Sequence, residues 1–151
     1  MTGWRLGYAV GPQKLIDPLL RYHQYMITST NTFAQWGAVT ALKGDQNPSF
    51  IMRDKFQKRR DFVHAAVNEI PGFCSTLPAG AFYLFPSIKE TGQKGIQIAE
   101  MLLEKAGGAT VAGEYFGIKG AGHIRISYAN SMENLKTAVK KIKAVMENSE
   151  W

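Results

Sequence analysis

The sequence predicts an α+β fold, with helices packed on a mainly antiparallel sheet. Three observations lead there. From residue 48 onward the apolar pattern follows the order helix, two strands, helix, two strands, helix. Pro71-Gly72, Pro78-Ala79-Gly80 and Gly107-Gly108 punctuate those segments. A hydrophobic fraction of 45% over 151 residues, with no internal repeat or low-complexity linker, suffices for one packed core.

Taken in order, residues 5–10 alternate like a short strand closed by Gly11-Pro12. Pro12 opens a helix from about Gln13 into the mid-twenties, because a missing N–H costs nothing at a helix start. Leu15, Ile16, Leu19 and Leu20 form its apolar side, and Pro18 is a candidate kink. The hydroxyl-rich run Thr28-Ser29-Thr30-Asn31-Thr32 caps a second helix near Phe33 to Leu42. Gly44 is expected as its left-handed terminator, with Asn47-Pro48 blocking further winding.

The longest helix is expected over about Phe50 to Ile70, with Met52, Phe56, Val63, Ala66 and Ile70 in its stripe and Arg59 at the edge. Strands then follow over residues 73–77 and 81–85, joined by the Pro78-Ala79-Gly80 turn. A helix fits Ile96 to Lys105, and residues 110–112 and 123–128 supply two further strands. Asn130 and Glu133 have capping-box spacing before a last helix that buries Leu135, Val139, Ile142 and Met146. Residues 1–45 do not belong to this sandwich. Their strand and two helices need another body to cover their apolar faces, so residues 1–45 and 46–151 are expected as separate domains.

Bulk chemistry narrows the function. Polar residues interrupt the uncharged stretch from Tyr22 to Leu42, so no membrane span is expected, and residues 1–5 are not expected to be a signal peptide. Cys74 is the single cysteine; it reads as an interior thiol in a reducing, cytoplasmic compartment. The net charge of +6 comes from basic residues dispersed on helices, which argues against a nucleic-acid partner. His23, His64 and His123 are too scattered for a metal cluster, and no phosphate-loop, zinc-protease or serine-hydrolase motif occurs.

Two arginines stand apart. Arg5 and Arg125 each sit in a short apolar run rather than on a charged helix face. A guanidinium so placed needs an anion or a polar network. Either one could pair with a local carboxylate or project from an edge strand. Together they would also suit a ligand with two anionic groups.

Their surroundings resemble a known family. Met1-Thr2-Gly3-Trp4-Arg5-Leu6-Gly7-Tyr8 resembles the segment after the cofactor lysine in class I/II aminotransferases, which are fold-type I pyridoxal-phosphate (PLP) enzymes. Pro78-Ala79-Gly80-Ala81-Phe82-Tyr83-Leu84-Phe85 resembles their small-domain turn and strand beside the active site. Gly122-His123-Ile124-Arg125-Ile126-Ser127-Tyr128-Ala129 resembles the strand that carries their substrate-carboxylate arginine. The resemblance runs over essentially the whole chain.

What the resemblance implies is specific. Arg5 would bind the phosphate of pyridoxal 5'-phosphate, Arg125 the substrate α-carboxylate, and Phe82 or its neighbours would line the substrate side. The 28–32 segment would approach the cofactor near a dimer interface. Residues 46–151 would form the small domain, and residues 1–45 a strand-helix remnant of the large, PLP-binding domain with interdomain helices. The intact enzyme would be a homodimer that moves an α-amino group from an amino acid to a 2-oxo acid.

The Schiff-base lysine is expected a few residues before the Thr-Gly-Trp-Arg run, upstream of Met1, and neither Lys14 nor Lys43 takes its place. The isolated chain is therefore expected to be inactive, with no catalytic residue of its own, no covalently held cofactor and a missing N-terminal large domain. Two alternatives stand beside this reading. One is another fold-type I PLP enzyme, a lyase or synthase; the other is a noncatalytic, truncated interaction module.

Overall fold

The computed structural model describes residues 1–149; Glu150 and Trp151, the end of the second expected domain, lie outside the described residues. Five α-helices occur among the described residues: α1 (Gln13–Met26), α2 (Thr32–Lys43), α3 (Asn47–Val67), α4 (Gly95–Ala106) and α5 (Met132–Glu147). Three short strands, β1 (Tyr83–Leu84), β2 (Val111–Ala112) and β3 (Ile124–Ser127), form an antiparallel sheet in the order β1-β3-β2. The fold is α+β, as the periodicity predicts. The chain divides into two compact units, Met1–Phe50 and a second that begins at Ile51.

In the first unit the strand expected over residues 5–10 does not form. A strand needs a ladder partner, and the described strands all lie in the second unit. Instead a 3₁₀ turn over Thr2–Trp4 leads into Arg5, and residues 6–12 are irregular. The Pro12 carbonyl accepts from the Leu15 and Ile16 amides, so Pro12 does open α1, which runs through Pro18. Asn31 caps α2, its Oδ1 accepting from the Ala34 amide at 2.9 Å. Of the large apolar side chains here, Leu15, Leu19, Phe33 and Trp36 are exposed.

Gly44 is not a left-handed terminator; its φ is −83°. The Gln46 side-chain amide donates to the Ala41 and Gly44 carbonyls, both at 2.9 Å, and so satisfies the helix end without a left-handed residue. Asn47-Pro48 opens α3 rather than blocking winding, since proline in a first turn forfeits no helical hydrogen bond.

The second unit holds the core. Val63 and Val67 of α3, Leu84 of β1, Ile98 and Leu102 of α4, Ile124 of β3 and Ile142 and Met146 of α5 are all buried in one cluster. Each such side chain contributes about 1.5–3 kcal/mol by leaving water. The four apolar positions expected to anchor the last helix, Leu135, Val139, Ile142 and Met146, are all buried. Gly107 closes α4 at φ 64°, the left-handed stop that a glycine there favours.

Three local expectations are corrected. Residues 73–77 and 81–85 do not form a hairpin: Cys74 makes an isolated antiparallel bridge to Ser87, and β1 pairs with β3. The Asn68 side chain takes both backbone groups of Ser75, accepting from its amide at 2.7 Å and donating to its carbonyl at 3.2 Å. That leaves no ladder to extend. Cys74 is exposed, not interior, because Phe73 and Ser75 on either side occupy the inward positions. Finally, Ser131 rather than Asn130 caps α5, its Oγ accepting from the Asn134 amide at 3.1 Å. Asn130 instead orients that cap, its Oδ1 accepting from the Ser131 amide at 2.8 Å.

Candidate functional site

β3 places Arg125. Along this strand Ile124 and Ile126 point into the core, so Arg125 and Ser127 emerge on the opposite face. Tyr83 of β1 pairs with Ser127, and Val111 of β2 pairs with Arg125 itself. Tyr83 thus stands diagonal to Arg125 on the same face, within reach of a long side chain. The Arg125 guanidinium carbon lies 4.4 Å from the centre of the Tyr83 ring.

A second ring meets the same cation from outside the sheet. Phe116 ends a 3₁₀ turn over Gly113–Phe116, and its ring centre is 4.8 Å from the guanidinium carbon. Phe116 and Phe85 meet nearly perpendicular, at 83°, and Phe85 stacks on His123 at 5.2 Å. His123 Nδ1 lies 3.0 Å from the Ala121 carbonyl oxygen. Tyr83 and Phe116 therefore contact the arginine directly, and Phe85 and His123 back Phe116.

Arg125 makes neither an ion pair nor a side-chain hydrogen bond among the described residues. Its partners are π faces, each worth about 0.5–2 kcal/mol depending on desolvation. Neither ring takes an N–H donor of the guanidinium, so those donors stay available to a ligand. They match a carboxylate, which accepts two parallel N–H donors.

Arg5 belongs to the first unit and Arg125 to the second. Arg5 is exposed and adopts φ 53°, a left-handed conformation uncommon outside glycine. It lines an open cleft with Met1, Leu6 and Gly7, and no anionic partner engages it among the described residues. Thr28 also has a positive φ, 70°, which is unusual for a β-branched residue. Unfavourable backbone of this kind persists where the surrounding structure demands it, often at ligand sites.

Phe82 is half-buried and faces the core side. Its ring lies 6.2 Å from Phe56 and 4.4 Å from Tyr83, and its carbonyl accepts from the Tyr128 amide. Tyr83, not Phe82, touches Arg125. Sequence reasoning reached Tyr83 only as a neighbour of Phe82, and missed Phe116. Alternation along Ala81 to Phe85 carries a signal for Tyr83, since it and Arg125 must share a face once the two strands pair. Phe116 lies in a non-strand segment between glycines, where no periodicity marks it.

His64 is half-buried, with Nε2 3.0 Å from the Ser75 carbonyl oxygen, a structural role. Among the described residues no group of three or more His, Cys, Asp or Glu could hold a metal ion. No described helix is long and apolar enough to cross a membrane.

Comparison with known proteins bears on this geometry. The family described as "Aminotransferase class I and II" matches residues 1–142. The chain is 36% identical to aromatic-amino-acid aminotransferase 2 of Thermococcus litoralis over 97% of its residues, and 37% identical to the aspartate aminotransferase of Pyrococcus horikoshii over 97%. It spans 38% of the length of each of these curated relatives. The crystal structure of an aromatic aminotransferase from Pyrococcus horikoshii superposes with a TM-score of 0.87 at 37% identity, covering 97% of this chain and 40% of that one.

Proposed function

The chain belongs to the class I and II aminotransferase family, and from that premise we propose that it supplies the anion-gripping half of a PLP-dependent aminotransferase. The intact enzyme would move an α-amino group from an amino acid to a 2-oxo acid. The observation that carries the proposal is Arg125: a part-buried strand arginine contacted by two rings, with no carboxylate of its own.

The residues suit the ligands. Arg5, exposed and unpaired on a left-handed turn, presents a fork of donors suited to the cofactor phosphate. Bound there, the cofactor supplies an electron sink for the bonds of the substrate α-carbon. Arg125 holds the substrate carboxylate edge-on and so fixes the direction of the bond from the α-carbon. Phe82 plays a supporting part, setting the position of Tyr83 through their ring contact.

The proton-moving lysine is a role that these 151 residues do not fill. Lys14 lies in the first turn of α1 and Lys43 ends α2, so each is part of a helix of the first unit. Residues 1–45 accordingly belong with a large, PLP-binding domain, and residues 46–151 form the small domain. The exposed apolar side chains of α1 and α2 fit a surface that such a domain, and a second subunit of a cytoplasmic homodimer, would cover.

Transamination assayed on the 151 residues alone, and on the same residues joined behind the N-terminal part of an aminotransferase relative, tests this reading. Turnover is expected only from the joined protein, with cofactor affinity reduced by Arg5→Leu. Turnover by the 151 residues alone would overturn it.

A further inference from the structure

We infer that Phe116 is a positioning residue, which together with Tyr83 fixes the Arg125 guanidinium so that only its N–H edge is offered to a substrate carboxylate. The inference rests on the carboxylate role proposed for Arg125, and it adds a residue that touches neither cofactor nor substrate in that role.

The geometry is specific. The guanidinium carbon is 4.4 Å from one ring centre and 4.8 Å from the other. The two rings come from different segments, Tyr83 from β1 and Phe116 from the Gly113–Phe116 turn, so the cation is met from two directions of the chain. An arginine usually keeps its direction through a carboxylate or carbonyl partner. Arg125 has none among the described residues, so the rings are what orient it. A side chain ordered in advance loses less freedom when a ligand arrives, and binding is tighter for it.

Phe116 is not held there as core. It is 49% exposed, so burial does not explain why an aromatic ring occupies this position. What does hold it is a loop pinned at several points. The Gly113 amide donates to the His123 carbonyl at 2.8 Å, and Glu114 Oε1 accepts from the Gly95 amide, at the start of α4, at 2.8 Å. Gly113 and Gly120 approach so closely that a Cβ on either would run into the other's carbonyl oxygen. Phe85 then supports Phe116 at 5.8 Å.

The test uses the 151-residue chain, labelled with nitrogen-15, and follows the side-chain Nε–Hε resonance of Arg125, identified by its loss in Arg125→Lys. Stacked rings should shift that resonance upfield of the other arginines. Sodium propionate, matched against sodium chloride at equal ionic strength, should move it saturably. Phe116→Leu keeps the apolar bulk without a π face; it should lose the upfield shift contributed by Phe116 and weaken propionate binding about fivefold, while Phe116→Tyr keeps both. Tyr83→Leu probes the clamp independently from the sheet side, should Phe116→Leu disturb the fold as read from backbone amides.

Propionate binding unchanged in Phe116→Leu and Tyr83→Leu would overturn the positioning role and leave Arg125 as a carboxylate site. No response of Arg125 to propionate in the unmodified chain would overturn the carboxylate role itself, and the positioning role with it.

Discussion

The Tyr128 hydroxyl donates to the Ala81 carbonyl oxygen at 3.1 Å, joining residues 47 positions apart. Ala81 holds φ 62°, and the Tyr128 amide donates to the next carbonyl, Phe82, at 2.9 Å. One buried tyrosine thus secures the turn that leads into β1 and Tyr83. Tyr128→Phe should destabilise the chain by about 1 kcal/mol, the usual net worth of one hydrogen bond, read as a lower urea midpoint.

The same residue sets a pH limit. Burial raises the Tyr128 phenol above its usual range, with the nearby Arg60 charge partly lowering it again and Asp61 raising it. A proton held more tightly in the fold than in the unfolded chain stabilises fully below the unfolded phenol value of about 10, and that stabilisation is lost as pH rises through the folded value. Stability should therefore fall above about pH 10, and less steeply in Tyr128→Phe. Urea midpoints between pH 8 and about 11 check it.

Glu114 caps α4 from 19 residues away, its carboxylate accepting from the Gly95 amide. Asp or Glu at a helix start is favourable through both the hydrogen bond and the dipole. Glu114→Ala should cost about 1 kcal/mol, and a thermal midpoint about 2–4 °C lower would report it. Because Glu114 also pins the loop that carries Phe116, the Arg125 side-chain resonance should shift in the same variant.

The start of α5 offers a paired comparison. Ser131→Ala removes the side chain that caps the helix and should cost about 1 kcal/mol. Glu133→Ala should cost less, about 0.3–0.5 kcal/mol, since Glu133 does not complete a capping box and acts on α5 only as an exposed first-turn charge. Equal losses in the two denaturation curves would restore Glu133 to the cap.

How much of this was legible beforehand divides along physical lines. Helices α1 to α5 announce themselves through apolar stripes long enough to average over errors, and the buried side of α5 is read off directly. Short strands carry less signal. Residues 5–10 alternate as well as any strand, but a ladder is a property of two segments, and no alternation says whether the second is present. Residues 73–77 failed for the opposite reason: Asn68, in the turn just past α3, took the backbone groups of Ser75.

The site divides similarly. Arg125 stands out as a charge in an apolar run, and the resemblance around it supplies a role. Tyr83 needed the register between β1 and β3. Phe116 needed a loop whose path depends on Glu114 meeting α4 and on two glycines touching, contacts between residues that sequence spacing does not bring together.

The central claim is that Arg125 reads the substrate carboxylate. Its most direct measurement uses the chain joined behind the N-terminal part of an aminotransferase relative. The quantity is the rate with an α-amino acid divided by the rate with the primary amine that lacks only the carboxyl group. With Arg125 in place the ratio should be large, and Arg125→Leu should reduce it by about two to three orders of magnitude, as loss of one partner of a desolvated ion pair implies. A ratio unchanged by Arg125→Leu in a folded, active protein would contradict the account.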